Sequence, residues 1–190
     1  MDDHNKLSRR DFIKITTLSA GALSLTIGGV SFIEGCSTEQ KRGTGFLTED
    51  EIKLVEAIAE QIIPTDEWPG GRDAGVANFI TLQLNGPLKR FQPDYRKGLA
   101  ALENTCRNKF GKKFEKLSGD SQTTVLKDME AGILDGEVWN KGFSQYFFEL
   151  LRSNCMQGYY GSPRHGGNKN FISYKMIGLD EPQILGENRI

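Results

Sequence analysis

The sequence predicts an all-α protein, and three observations carry that prediction. Beyond residue 47, apolar residues recur at helical spacing in nearly every segment. No segment alternates apolar and polar convincingly at period two. The 22 glycines cluster between the periodic segments, which suggests about five helices joined by structured loops rather than one long bundle.

The first helix is the best signposted. Thr48-Glu49-Asp50-Glu51 is a capping box, in which Thr48 serves a free amide and Glu51 reaches back; its acidic first turn suits the positive end of the helix dipole. Ile52, Val55, Ile58, Ala59, Ile62 and Ile63 share one face, and Pro64 ends the run. Prolines and glycines make residues 64–76 an irregular loop, with Trp68 expected to pack back on the fold. Val76, Phe79, Ile80 and Leu84 predict a short second helix, stopped by Asn85-Gly86-Pro87. A third is expected over 94–110, burying Tyr95, Leu99, Leu102, Cys106 and Phe110. A fourth is expected over 117–129, capped by Ser118 or Asp120. The fifth and most apolar, over 138–156, carries Val138, Trp139, Phe143, Tyr146, Phe147, Leu150, Leu151, Cys155 and Met156. Short strands have room only around 171–177, after a glycine-rich C-terminal loop.

Ahead of this domain stands Ser8-Arg9-Arg10-Asp11-Phe12-Ile13-Lys14, followed by an uncharged run of 19 residues from Ile15 to Ile33. That length is just enough for a bilayer of about 30 Å of hydrocarbon. Its serines, threonines and glycines argue against a strong anchor. Arg9 and Arg10, with Phe12 after them, match the twin-arginine export motif, an address for proteins that cross a membrane already folded. Ile33-Glu34-Gly35-Cys36-Ser37 resembles a lipobox, with Cys36 acylated as the new N-terminus, although Glu34 departs from the usual small or apolar residue. The other reading is an uncleaved signal that serves as anchor. Both place the mature domain outside the cytoplasmic membrane and attached to it, on the periplasmic face. The expected organisation is a signal over 1–36, a polar tether over 37–47 and a helical domain over 48–190.

A domain of this length has room for a real core, and a net charge of −1 gives no basic surplus for nucleic acid. With Cys36 assigned to lipid, Cys106 and Cys155 remain at apolar helical positions, in a compartment that permits disulfides. Two buried free thiols, a Cys106–Cys155 bridge, and a bridge from Cys155 to another chain all stay open. Two cysteines without matching histidines make a poor metal site.

No catalytic set is legible. His165 is the one histidine of the mature domain, and a lone loop histidine is usually solvated or hydrogen-bonding. Gly166-Gly167 lacks the spacing and the preceding strand of a dinucleotide loop, and Ser162 has no triad behind it. Residues 159–168 nevertheless pack two tyrosines, a proline, a cation, Gly-Gly and an amide into ten positions. Tyr, Trp and Arg dominate interface energetics. The loop therefore reads as a docking surface, or as a loop folded onto its own core by Tyr159, Tyr160 and Phe171; the two are compatible. An export signal for folded proteins, on a domain with no cofactor motif, suggests a travelling companion.

Ile58-Ala59-Glu60-Gln61-Ile62-Ile63-Pro64-Thr65-Asp66, then Gly71-Arg72-Asp73-Ala74-Gly75-Val76-Ala77-Asn78-Phe79-Ile80, resembles the opening of the gluconate 2-dehydrogenase subunit 3 family. Gly158, Gly161, Pro163, Gly166, Gly167 and Asn168 match its glycine-rich second landmark, and Tyr174-Lys175-Met176-Ile177-Gly178 follows, with Tyr174 where many members have Trp. The resemblance implies a small, non-catalytic subunit with no cofactor of its own. Its large partner would be an FAD-bearing flavoprotein dehydrogenase of the glucose-methanol-choline class, acting on sugars or sugar acids. A cytochrome c subunit carrying haem c would accept the electrons. The large subunit usually lacks a signal, so the small one would carry it through the twin-arginine translocase. Trp68, Arg72, Tyr160, Arg164, His165 and Asn168 are then the expected partner contacts. An independent periplasmic binding or scaffold lipoprotein and a self-sufficient sugar oxidoreductase are the alternatives.

Overall fold

The computed structural model describes residues 45–140 and 142–179. Arg9, Arg10, Phe12 and Cys36 lie outside them, as does most of the tether. Six helices are described: α1 (Glu49–Ile62), α2 (Val76–Leu84), α3 (Gln92–Phe110), α4 (Gly119–Ala131), α5 (Phe143–Tyr160) and a short α6 (Ile172–Met176). There is no strand among the described residues, and residues 171–177 form a turn and α6 instead.

The caps follow from the sequence. Thr48 N–H donates to Glu51 Oε2 at 2.8 Å and Glu51 N–H to Thr48 Oγ1 at 3.3 Å, which completes the box at the start of α1. Arg96 of α3 pairs with Glu51 and also donates to the Phe46 carbonyl at 2.6 Å, so the entry to α1 is tied to α3. Of the two caps expected for α4, Ser118 is the one used.

Helix α5 is central and touches all five other helices. Phe147 on it is fully buried, 5.8 Å from the Tyr95 ring in a T-shaped pair and stacked on Phe143 at 5.9 Å. Such pairs add about 1 kcal/mol to the burial itself. The Tyr95 hydroxyl accepts the Asn154 amide at 2.8 Å, so the polar groups inside this layer are satisfied.

One expectation about α5 is corrected. Val138 and Trp139 form a separate single turn, because Gly142 takes φ 77° and starts α5 afresh. Trp139 is buried with its Nε1 donating to Thr105 at 3.0 Å, whereas Val138 is 38% exposed. Tyr146 and Met156, named in the same apolar run, are each 44% exposed.

Cys106 and Cys155 are free and fully buried, so the Cys106–Cys155 bridge open in the sequence is not formed. Burial pushes both thiols from 9.0 up to about 12, with Glu103 and Glu115 adding to the effect at Cys106. A folded-state pKa above the unfolded one means stability that is complete below the unfolded value and lost as pH rises towards the folded one. Urea midpoints should thus fall from about pH 9 upward, and a thiol reagent at neutral pH should label both cysteines only after denaturation. Rapid labelling of the native domain would contradict this burial.

Candidate functional site

The loop between α1 and α2 is built on side-chain acceptors. Glu60, in the last turn of α1, accepts the Thr65 N–H at 3.0 Å, the Thr65 hydroxyl at 2.7 Å and the Arg72 N–H at 3.2 Å. Asp66 accepts the Trp68 N–H at 2.8 Å, and Thr65 Oγ1 accepts the Gly70 N–H at 2.9 Å. Pro64 stops the helix while Thr65 and Asp66 supply the turn. This stretch holds shape, and what it displays is Trp68, half-buried, and Arg72, exposed.

The C-terminal loop closes on the same place. After α5 the chain doubles back until Gly167 lies on Gly158, where any Cβ on Gly167 would overlap the Gly158 carbonyl. Asn168 N–H donates to that carbonyl at 2.8 Å. Asn168 adopts φ 45°, a left-handed conformation that asparagine tolerates. It is fully buried, and both ends of its amide are engaged: Nδ2 donates to the Gly161 carbonyl and Oδ1 accepts the Ser173 N–H, each at 2.9 Å. Asn168 was expected among the partner contacts; it sits inside and shapes the face from behind.

Three bonds join the two loops and the helices beside them. Lys169 N–H donates to the Ala74 carbonyl at 3.0 Å, Asn78 Nδ2 to the Gly166 carbonyl at 2.7 Å, and the Tyr159 hydroxyl to the Pro69 carbonyl at 2.8 Å. The loop before α2 and the loop after α5 are therefore one surface, spanning the start of α2 and the turn before α6.

Two shallow hollows mark that surface. One, of about 520 Å³, is lined by Glu56, Arg72, Asp73, Asn78, Pro163 and Lys169 among others. Its neighbour, of about 420 Å³, includes Trp68, Asp73, Lys169, Asn170 and Lys175. Arg164 and His165 are exposed, with Arg164 Nε 3.4 Å from His165 Nε2, and Tyr160 is 48% exposed with its ring 4.8 Å from that of buried Tyr159. The structure thus places Trp68 and Arg72 in the first loop, where they line the hollows, Arg164 and His165 in the second loop, and Tyr160 at the end of α5. What they offer is charge, amide hydrogen bonding and aromatic contact. Among the described residues no three His, Cys, Asp or Glu side chains are grouped as metal ligands, and no helix is long and apolar enough to cross a membrane.

Sequence reasoning missed Glu60, Asn78, Lys169 and Lys175 as parts of this surface. Lys169 and Lys175 had a signal: they follow Gly-Gly-Asn in a stretch without acids. Asn78 had none, since its partner is 88 residues away.

A family model described as gluconate 2-dehydrogenase subunit 3 matches residues 49–180, the stretch that holds all six helices and both loops. Neither the comparison with curated proteins nor that with solved structures returned a match.

Proposed function

We propose, for a chain that belongs to the gluconate 2-dehydrogenase subunit 3 family and so is an accessory subunit of a dehydrogenase complex, that it binds a flavoprotein dehydrogenase of the glucose-methanol-choline class through the two-loop surface and escorts it outward. FAD then belongs to that partner, and haem c to a cytochrome c that takes the electrons. The subunit's own Arg9 and Arg10 address the folded pair to the twin-arginine translocase. Cys36, or an uncleaved signal, holds it at the outer face of the membrane.

One observation carries this reading. Two loops far apart in sequence are joined by backbone hydrogen bonds and by the Asn78 amide, and Trp68, Arg72, Tyr160, Arg164 and His165 stand on them or at the adjoining end of α5, each at least partly accessible. A rigid scaffold presenting aromatic and arginine side chains is suited to docking, because little side-chain order is lost on binding.

Co-expression with a candidate dehydrogenase of the glucose-methanol-choline class, followed by affinity purification through a tag on the mature subunit, tests the reading. The expected eluate contains both chains and shows flavin absorbance. Turnover of a sugar by the purified subunit alone, with an artificial electron acceptor, would favour a self-sufficient enzyme instead. Recovery of the subunit without any dehydrogenase would favour a scaffold lipoprotein.

A further inference from the structure

From Leu150 to Leu179 the chain carries Arg152, Arg164, Lys169 and Lys175 and no Asp or Glu. Arg152 is paired with Glu149 at 2.6 Å. Among the described residues, Arg72, Arg164, Lys169 and Lys175 make no ion pair, and all four are exposed. Lys169 and Lys175 share one hollow with Trp68, and Arg72 and Lys169 share the next.

Beside these cations lies an apolar centre. Tyr160 is 48% exposed, Met176 37% and Ile177 71%. Tyr160 and Met176 both rest on Tyr159, whose ring packs on Tyr160 and whose hydroxyl lies 3.4 Å from Met176 Sδ, and Ile177 follows Met176 in the chain. Exposed apolar side chains grouped this way mark an interaction surface.

We propose that this face receives an acidic, apolar-centred surface of the dehydrogenase. Partner carboxylates meet Arg72, Lys169 and Lys175, and partner apolar side chains cover Tyr160, Met176 and Ile177. This rests on the docking reading above and adds the chemistry of the partner. A protein surface fits better than an anionic lipid surface, because Asp73 and Glu56 line the same hollows as the cations. A headgroup layer would be repelled by those carboxylates, whereas an array of side chains can match alternating signs.

The test uses the purified mature subunit and the co-expressed dehydrogenase, with affinity measured at about 50 and about 500 mM NaCl. The double substitution Lys169→Glu and Lys175→Glu alters two exposed side chains, and circular dichroism and thermal melting check that it leaves the fold intact. The expected result is a Kd weakened at least about tenfold by charge reversal and several-fold by salt, with Ile177→Ser also weakening it. If Ile177→Ser weakens binding while charge reversal and salt do not, the face still docks the dehydrogenase and the acidic-partner inference is overturned. If wild type binds and none of the variants changes Kd, docking occurs elsewhere and both readings fall. If charge reversal instead abolishes binding to phosphatidylglycerol vesicles and leaves the dehydrogenase affinity untouched, the face belongs to the membrane and the inference is likewise overturned.

Discussion

Replacing Arg9 and Arg10 together by Lys should leave both this subunit and its dehydrogenase in the cytoplasm. The twin-arginine route recognises the guanidinium pair itself, and lysine keeps the charge while losing the planar fork of donors. Cell fractionation followed by immunoblotting of the two chains reads the result, and the expected loss from the periplasm is nearly complete. Dehydrogenase activity in intact cells with an impermeant electron acceptor should vanish, while activity in lysates persists. A dehydrogenase that still reaches the periplasm with the substituted subunit would end the escort proposal, because it would have its own route.

Gly167→Ala should be the most damaging small change in the folded domain. The added methyl meets the Gly158 carbonyl, a backbone group in the last turn of α5 that cannot rotate away as a side chain could. Overpacking of this kind costs about 3 kcal/mol, which for a domain of this size lowers Tm by roughly 10 °C. The loss should concentrate in the C-terminal loop, since Asn168 depends on the same contact for its bond to the Gly158 carbonyl. Hydrogen exchange of the Asn168 and Ser173 amides should accelerate, and dehydrogenase affinity should drop with it. Gly86→Ala is the control: its nearest neighbour, the Leu82 carbonyl, is 3.5 Å from the new Cβ, and the shift expected is under about 0.5 kcal/mol. Equal melting of Gly167→Ala and wild type would show that the loop is not held as described.

Much of the fold was legible because its signals are local. The capping box at Thr48, the stop at Pro64, the cap at Ser118 and the helical spacing of buried residues each involve neighbours within a few positions. The misjudged stretch was 138–142. Val138 and Trp139 kept the helical rhythm of the residues that follow, and periodicity alone does not register that Gly142 turns the backbone to positive φ. Tyr146 and Met156 belong to the same apolar run, yet the position of a residue around α5 depends on which neighbours surround that helix. Tyr146 instead directs its hydroxyl to Asp94 at 2.9 Å.

The candidate site was half legible. Trp68, Arg72, Tyr160, Arg164 and His165 stood out by residue type, and the structure leaves each of them accessible to some degree. Asn168 stood out in the same way, but its amide is bonded inside the loop. Residue type indicates what a side chain can bind; burial determines whether a partner can reach it.

The sequence by itself determined the all-α class, the start and stop of α1, the cap of α4 and the family landmarks, all written in short spans of chain. Only the tertiary structure decided that the two landmarks form one surface, that Cys106 and Cys155 stay apart as buried thiols, and that Lys169 and Lys175 join Trp68 around a hollow. The physical reason is distance along the chain. A bond such as that from Asn78 to the Gly166 carbonyl, across 88 residues, exists only once α2 and α5 have packed, and no local pattern of residues announces it.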